Sequence, residues 1–338
     1  MIARRVLLAR LVTPTLLALP GVAAAQPARR VARVGWLGWS GAALGRQATV
    51  PLEALEALEA LEALRAGLQA HGWKEGVDLA LIVRSGERAQ ARQLASELVA
   101  AKVDVIVAQG PMAFGARMPG DPTPLVFAIN GDPVEAGLVT SLARPGADTT
   151  GITALNLALA GKRLELLIET RPGITRVAVL ANAVHPGLQA ELRETRNAAE
   201  RLGLALQYLP VSAAEDFPTA FDAIARDGTH AVLAFPDTLI NAQARVIAGF
   251  AEQHRLPSIS GWAEFAQAGN LMSYGPNLRA FFGHLAGHVH RLLQGAKPAD
   301  LPVEQPTQFE LVINLKTARA LGIALPQSLL LRADEVIG

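Results

Sequence analysis

The chain has 338 residues, 31 basic against 30 acidic side chains, no cysteine and 51% apolar residues. That length suits two domains with full hydrophobic cores. The missing cysteines exclude disulfides, thiolate nucleophiles, iron–sulfur clusters and cysteine-ligated zinc, and a formal charge of +1 with 5% aromatics leaves neither the basic footprint nor the stacking surface of a nucleic-acid binder.

Arg4 and Arg5 precede a mostly apolar run, Val6–Ala25, that closes on Val22-Ala23-Ala24-Ala25. This is the pattern of a secretory signal peptide over residues 1–25. Arg10, Pro14 and Pro20 interrupt the run, so it holds no uncharged stretch long enough to span a bilayer. Its removal takes three arginines and no acid, which leaves a slightly acidic chain bound for an extracytoplasmic compartment.

Beyond it, short β-branched runs alternate with longer helical patterns. Strands are predicted at Val31–Leu37, Leu79–Val83, Val103–Ala108 and Leu125–Ala128, with helices at Glu53–Gly72 and Arg88–Ala101. A second series begins after Gly151. Its helices are Gly161–Thr170, Leu188–Leu202, Phe217–Arg226 and Asn241–His254; its strands are Val177–Leu180, Leu204–Leu209, Ala231–Phe235 and Leu271–Tyr274. This order implies two similar α/β lobes, each a parallel sheet covered by helices on both faces.

Within the first helix, Leu52–Ala63 is the triplet Leu-Glu-Ala repeated four times. Its residue types favour a helix. A three-residue period drifts around a helix of 3.6 residues per turn, so one core face cannot bury every leucine and the first turn or two should stand exposed.

Tests for chemistry leave no catalytic set. Gly35, Gly38, Gly41 and Gly45 lack the G-x-G-x-x-G spacing and suit a tight turn at the strand end. Neither a phosphate loop nor a nucleophile elbow occurs. His284 and His288 share a helix face, but no third ligand accompanies them, and a solvated helix surface is the simpler reading. Catalytic residues, metal and cofactor are therefore not expected.

Binding features are stronger, because open parallel sheets take ligands at the carboxyl ends of their strands. Those ends carry Trp39 and Ser40, then Gln109, Gly110 and Pro111, then Asn130 and Asp132 in the first series. In the second they carry Asn182, Asp237 and Tyr274. Asp132 is the expected acceptor for a ligand ammonium, with Trp39 and Tyr274 as apolar walls. Asp132 and Asp237 are also well placed simply to cap the helical turns that follow them.

Gly131-Asp132-Pro133-Val134, continuing through Ser141-Leu142-Ala143-Arg144-Pro145-Gly146 to Thr150-Gly151-Ile152-Thr153, resembles the ABC-transporter substrate-binding proteins that include tryptophan-binding members. So do Leu271-Met272-Ser273-Tyr274-Gly275-Pro276-Asn277 and the run from Gly295-Ala296-Lys297-Pro298 to Pro306-Thr307-Gln308-Phe309-Glu310. The resemblance implies a type I periplasmic-binding-protein fold: two Rossmann-like lobes joined by a three-stranded hinge. Residues 31–148 with 277–302 would form lobe one, and residues 149–276 with 303–338 lobe two. Crossovers would lie near Ala147–Gly151, Gly275–Asn277 and Pro302–Thr307.

It also implies a protein that carries a small ligand to an ABC permease and its ATPase subunits; with the signal peptide and no cysteine to bear a lipid, the chain is expected in the periplasm as a monomer without a membrane anchor. A ligand-sensing subunit for a membrane receptor and an enzyme on the same fold remain alternatives. Two segments depart from the family pattern. Gln109-Gly110-Pro111-Met112 replaces a Gly-Thr-Pro-Ala-like turn and loses its hydroxyl, and Asn182-Ala183-Val184-His185-Pro186-Gly187 replaces an Asn-Pro loop.

Overall fold

The structure is a computed structural model that describes residues 30–39, 52–118, 120–155 and 157–338, apart from the side chains of 52–58. The signal-peptide segment, Ser40, Gly41 and Gly45 lie outside the described residues.

Lobe one begins with β1 (Ala32–Trp39), α1 (Leu52–Ala70), β2 (Leu79–Gly86), α2 (Ala91–Ala100), β3 (Val105–Gln109), α3 (Ala113–Ala116), β4 (Leu125–Ile129) and β5 (Thr149–Thr153). Its five strands pair in parallel in the order β2-β1-β3-β4-β5. The chain then enters lobe two with α4 (Leu159–Thr170), β6 (Arg176–Asn182), α5 (Leu188–Leu202), β7 (Ala205–Val211), α6 (Phe217–Arg226) and β8 (Ala231–Ala234). There follow α7 (Thr238–Ala242), α8 (Ala244–Gln253), β9 (Ser258–Ser260), α9 (Ala263–Gln267) and β10 (Met272–Pro276). Helix α10 (Leu278–Leu293) returns to lobe one, and β11 (Phe309–Asn314), α11 (Leu315–Leu321), α12 (Gln327–Leu330) and β12 (Glu335–Ile337) complete lobe two.

Each sheet has an apolar core on both faces, which is why its central strands read as nearly unbroken β-branched runs. In lobe one, α1 and α10 cover one face through Leu61, Leu64, Leu68, Leu285 and Val289, while α2 and α3 cover the other through Ala91, Leu98 and Ala113. The first two helices approach closely because Gly67 lies under the carbonyl of Gly283, where a Cβ would come within 2.7 Å of that oxygen. Among the described side chains of α1, Ala60, Leu61, Ala63, Leu64 and Leu68 are buried, so the last leucine of the repeat enters the core. In lobe two, Leu164, Leu167 and Leu192 lie on one face and Phe217, Ile240 and Phe265 on the other.

The two α/β lobes match the sequence reading, but four details differ. The seven-stranded sheet, β12-β11-β10-β9-β8-β6-β7, is not wholly parallel: β11 runs antiparallel to β10. Residues 149–153, assigned above to lobe two and to a crossover, form the edge strand of the lobe-one sheet. Val303 likewise packs in lobe one, and Glu304 bridges to Ile152, so the lobe boundaries fall after residues 153 and 304. Gly35 and Gly38 lie inside β1 rather than at a turn; a Cβ on Gly35 would touch Leu98 at 3.1 Å. Finally, His288 is fully buried, its Nε2 donating to the Pro302 carbonyl at 3.1 Å, and is no part of a solvated face.

Candidate functional site

The lobes enclose a cavity of about 330 Å³, a size proper to small-molecule sites. Its floor is built from strand ends. Gln109, Gly110 and Pro111 follow β3, Asn130 follows β4, Asn182 closes β6, Asp237 follows β8, Trp262 and Glu264 follow β9, and Asn277 follows β10. Parallel strands deliver all these residues to one edge of their sheets, and the two edges face each other.

The loops of lobe two are fixed by a short relay. Asn182 Nδ2 donates to Asp237 Oδ1 at 3.0 Å, and the same oxygen accepts from the Leu239 amide at 2.8 Å, capping α7. Asn182 Oδ1 in turn accepts from the Val184 amide at 3.1 Å. Across the cleft, the Asn130 side chain donates to the Pro236 carbonyl, the His185 ring donates to the Asn130 carbonyl, and the Asp132 amide donates to the Pro186 carbonyl at 3.1 Å. These contacts join the lobes on one side of the cavity, so the arrangement is closed.

Aromatic side chains supply the apolar walls: Phe114, Phe281 and Phe282 from lobe one and Trp262 from lobe two. The guanidinium of Arg88 sits 5.4 Å above the Phe114 ring. Carboxylates line the same cavity. Burial raises the Glu264 carboxyl above the usual carboxylate range, and the like charges of Glu59 and Glu310 add to the shift. Glu310 is also raised, chiefly by burial, although Asn277 Nδ2 donates to it at 2.7 Å and opposes the shift.

Three residues lining this cavity each carry a buried polar atom with no partner among the described residues: Gln109 Oε1, Trp262 Nε1 and Glu264 Oε2. Buried polar atoms in folded proteins are overwhelmingly hydrogen-bonded. Three such atoms, two acceptors and one donor drawn from both lobes, belong to residues around this one cavity.

Of the residues singled out from the sequence, the structure brings Gln109, Gly110, Pro111, Asn130, Asn182 and Asp237 to this cavity. It does not bring Asp132, Trp39 or Tyr274. Asp132 Oδ1 accepts from the Val134 and Glu135 amides at 2.8 and 3.1 Å, closing its own turn. Trp39 packs against the α2–α3 core, and Tyr274 lies half-buried against Phe309.

Residues 48–337 match the family model described as ABC transporter substrate binding protein. The chain belongs to that family. The tyrosine-binding protein of Clostridioides difficile (strain R20291) is 26% identical over 261 residues, which cover 76% of this chain and 74% of that protein. Among solved structures, the ABC domain in complex with L-Trp from Streptococcus pneumonia has a TM-score of 0.79 at 23% identity, covering 90% of this chain and 99% of its own. A conserved domain protein from Vibrio cholerae has the same TM-score of 0.79 at 25% identity, covering 91% and 100%. The type I periplasmic-binding fold is thereby established, as is the family resemblance read from the sequence. This is a family of extracytoplasmic substrate-binding proteins working with ABC transporters.

Sequence reasoning missed Trp262 and Glu264, although Gly261-Trp262 follows a Ser-Ile-Ser run that is the strand β9. A three-residue strand is too short for periodicity to reveal. Phe281 and Phe282 lie on α10, within the 277–302 segment expected in lobe one, but nothing in its sequence marks their turn as facing the cleft. Glu59 sits in the Leu-Glu-Ala repeat, whose regularity singles out no one glutamate, and Arg88 sits in a helical segment with no motif around it.

Proposed function

We propose that this substrate-binding protein captures a small amino acid-like ligand, bearing an ammonium group and an apolar or aromatic side group, between its lobes. The observation that carries the reading is the set of unpartnered buried atoms, Gln109 Oε1, Trp262 Nε1 and Glu264 Oε2, in a cavity walled by phenylalanines. Two acceptors suit an ammonium and the indole N–H suits a carboxylate oxygen. The tyrosine and L-Trp named for two similar proteins are of this class.

The protein would work in the periplasm as a monomer, freed of residues 1–25, and deliver its ligand to an ABC permease driven by ATPase subunits. Among the described residues, the chain passes between the lobes after β5, at residue 277 and at residues 305–308, so rotation about a few dihedrals opens the cleft. A ligand touching both lobes then favours the closed state by its extra contacts there. No helix among the described residues is long and apolar enough to cross a membrane.

Mass spectrometry of the compound released on denaturing the purified protein, followed by calorimetry with the aromatic amino acids, tests this reading. An amino acid or close analogue released, and bound again at micromolar concentration or below, is the expected result. Release of a sugar or of a ligand without nitrogen would overturn it.

A further inference from the structure

The Leu-Glu-Ala repeat forms the end of α1 that overhangs lobe one. Helices α1 and α10 run side by side in the same direction: Gly67 abuts Gly283 and Ala286, and one turn on, the His71 ring stacks on His290 with 4.6 Å between centroids. Gly283 lies five residues after Leu278, where α10 begins, and five residues before Gly67 is Glu62. Leu52–Leu61 therefore extend past the start of α10, by about 15 Å at 1.5 Å per residue. They project toward the cleft, because the α1 residues that line the cavity are Glu59 and Ala60, both in the repeat. There, Cα atoms of α1 come within 8 Å of those of α7 in lobe two. Helix α7 is a firm counterpart. Asp237 caps it, Ile240 and Asn241 are buried, and Thr238 meets lobe one at Gly110, where a Cβ would lie 3.9 Å from the threonine methyl.

The repeat suits an overhang. It carries no Gly, Pro or β-branched residue, so its helix persists without a partner helix alongside. A three-residue change in an ordinary helix would rotate everything before it by about 60°. Here the units are identical, so losing or gaining one leaves the same residues ahead of Leu64 and over the buried stretch from Ala60 to Leu68. Only the reach of the helix changes, by about 4.5 Å per unit. Helix α1 belongs to lobe one and α7 to lobe two, so rotation about the hinge that opens the cleft separates them. Contacts present only in the closed state shift the equilibrium toward it, and apparent ligand affinity scales with the closed fraction.

We propose that the overhanging repeat is a closing arm: it bears on α7, and its number of units sets how readily the lobes close and how tightly a captured ligand is held. This rests on capture between the lobes, but not on which compound is captured. Shortening the arm should therefore weaken ligand binding without touching a residue of the lobe-one core.

Two variants of the full chain test it. One deletes Leu52–Ala57, which removes two units; the other replaces the same segment with three Gly-Ser pairs, which keeps the length and lowers helix propensity. Because the chain has no cysteine, Ser96→Cys on α2 and Asn197→Cys on α5, both exposed, place one spin label on each lobe. Pulsed electron paramagnetic resonance on ligand-free protein reads the interlobe distance, and calorimetry with L-tyrosine reads affinity. We expect both variants to shift toward the longer, open distance and to bind L-tyrosine about 3- to 10-fold more weakly, with the urea midpoint of the parent. Unchanged distances together with unchanged affinity in both variants overturn the arm. So does an affinity loss accompanied by a lowered urea midpoint, which would make the repeat a support of lobe one instead. Distances that shift in a protein whose parent does not bind L-tyrosine uphold the arm and count against the aromatic amino acid reading alone.

Discussion

Arg163 Nη1 lies 3.4 Å from Glu191 Oε1, and both side chains are 4% exposed. The guanidinium also donates through Nε to the Tyr274 carbonyl at 2.9 Å, so one cation ties α4, α5 and β10 together behind the cleft loops. Burial lowers the Arg163 pKa and raises that of Glu191, while each group's charge holds the other ionised. Removing one partner of such a pair leaves an uncompensated buried charge.

Glu191→Ala should therefore lower unfolding stability by about 3–5 kcal/mol, read as a shift of the urea midpoint. The double change Arg163→Met, Glu191→Leu should recover most of that loss, since apolar side chains of similar volume replace buried pairs with little penalty. Equal loss in the double and single variants would show that the Tyr274 carbonyl, not the ion pair, is what Arg163 serves.

Asp132 offers a cleaner separation of scaffold from ligand contact. Its carboxylate caps its own turn, and its cross-lobe contact to Pro186 runs through the backbone amide, which every substitution except proline keeps. Asp132→Ala should cost about 1–2 kcal/mol of stability through lost hydrogen bonds yet leave ligand affinity within about threefold of the parent. Thermal denaturation and calorimetry on the same preparation check both halves. An affinity loss of about 100-fold at unchanged stability would restore Asp132 as the ammonium acceptor.

The lobes, their strands' carboxyl ends and six cleft residues were legible because long apolar runs and strand-end loops obey simple periodicities. What stayed hidden did so for identifiable reasons. β5 is Thr-Thr-Gly-Ile-Thr, polar in composition, yet every residue is buried; the hydroxyls of Thr150 and Thr153 are satisfied by the Leu301 and Gly131 carbonyls at 2.7 Å each. Sequence carries the hydroxyl but not the carbonyl that accepts from it. Strand direction is equally silent, so β11 could not be distinguished from a parallel strand. Glu264 reads as a surface residue because burying a carboxylate makes sense only once its cavity is known. Asp132 misled for the opposite reason: an aspartate after a strand has an acceptor that its own backbone can use first.

Backbone contact fixes another position. A Cβ on Gly275 would lie 1.9 Å from the carbonyl oxygen of Gly261, in the segment that leads to Trp262 and Glu264. The β10 backbone thus presses directly on the loop that carries two of the cleft's three unpartnered atoms. Gly275→Ala must push that loop away, which should cost about 1–3 kcal/mol in overpacking and weaken ligand binding at the same time. Chemical denaturation and calorimetry read the two effects, and a variant that lost stability but bound normally would mean the strain escapes elsewhere in the sheet.

His288 supplies a pH signature independent of the ligand. Burial is the largest influence on it and lowers its pKa below the ordinary histidine value of about 6.5. The Pro302 carbonyl and Glu304 pull the other way, and Arg291 adds to the lowering. With Nε2 donating to Pro302, Nδ1 is left buried without a partner, as suits a neutral ring. Below about pH 6.5 the unfolded chain takes up a proton on this imidazole that the folded chain resists, so stability is complete above that pH and falls as pH drops toward the lowered folded value. His288→Gln, whose amide can still donate to Pro302, should remove this component. Between pH 7.5 and 5, the melting temperature of the parent should fall more than that of the variant, the rest of the fall coming from groups common to both. Parallel melting curves across that range would mean that the folded protein protonates His288 as readily as the unfolded chain does.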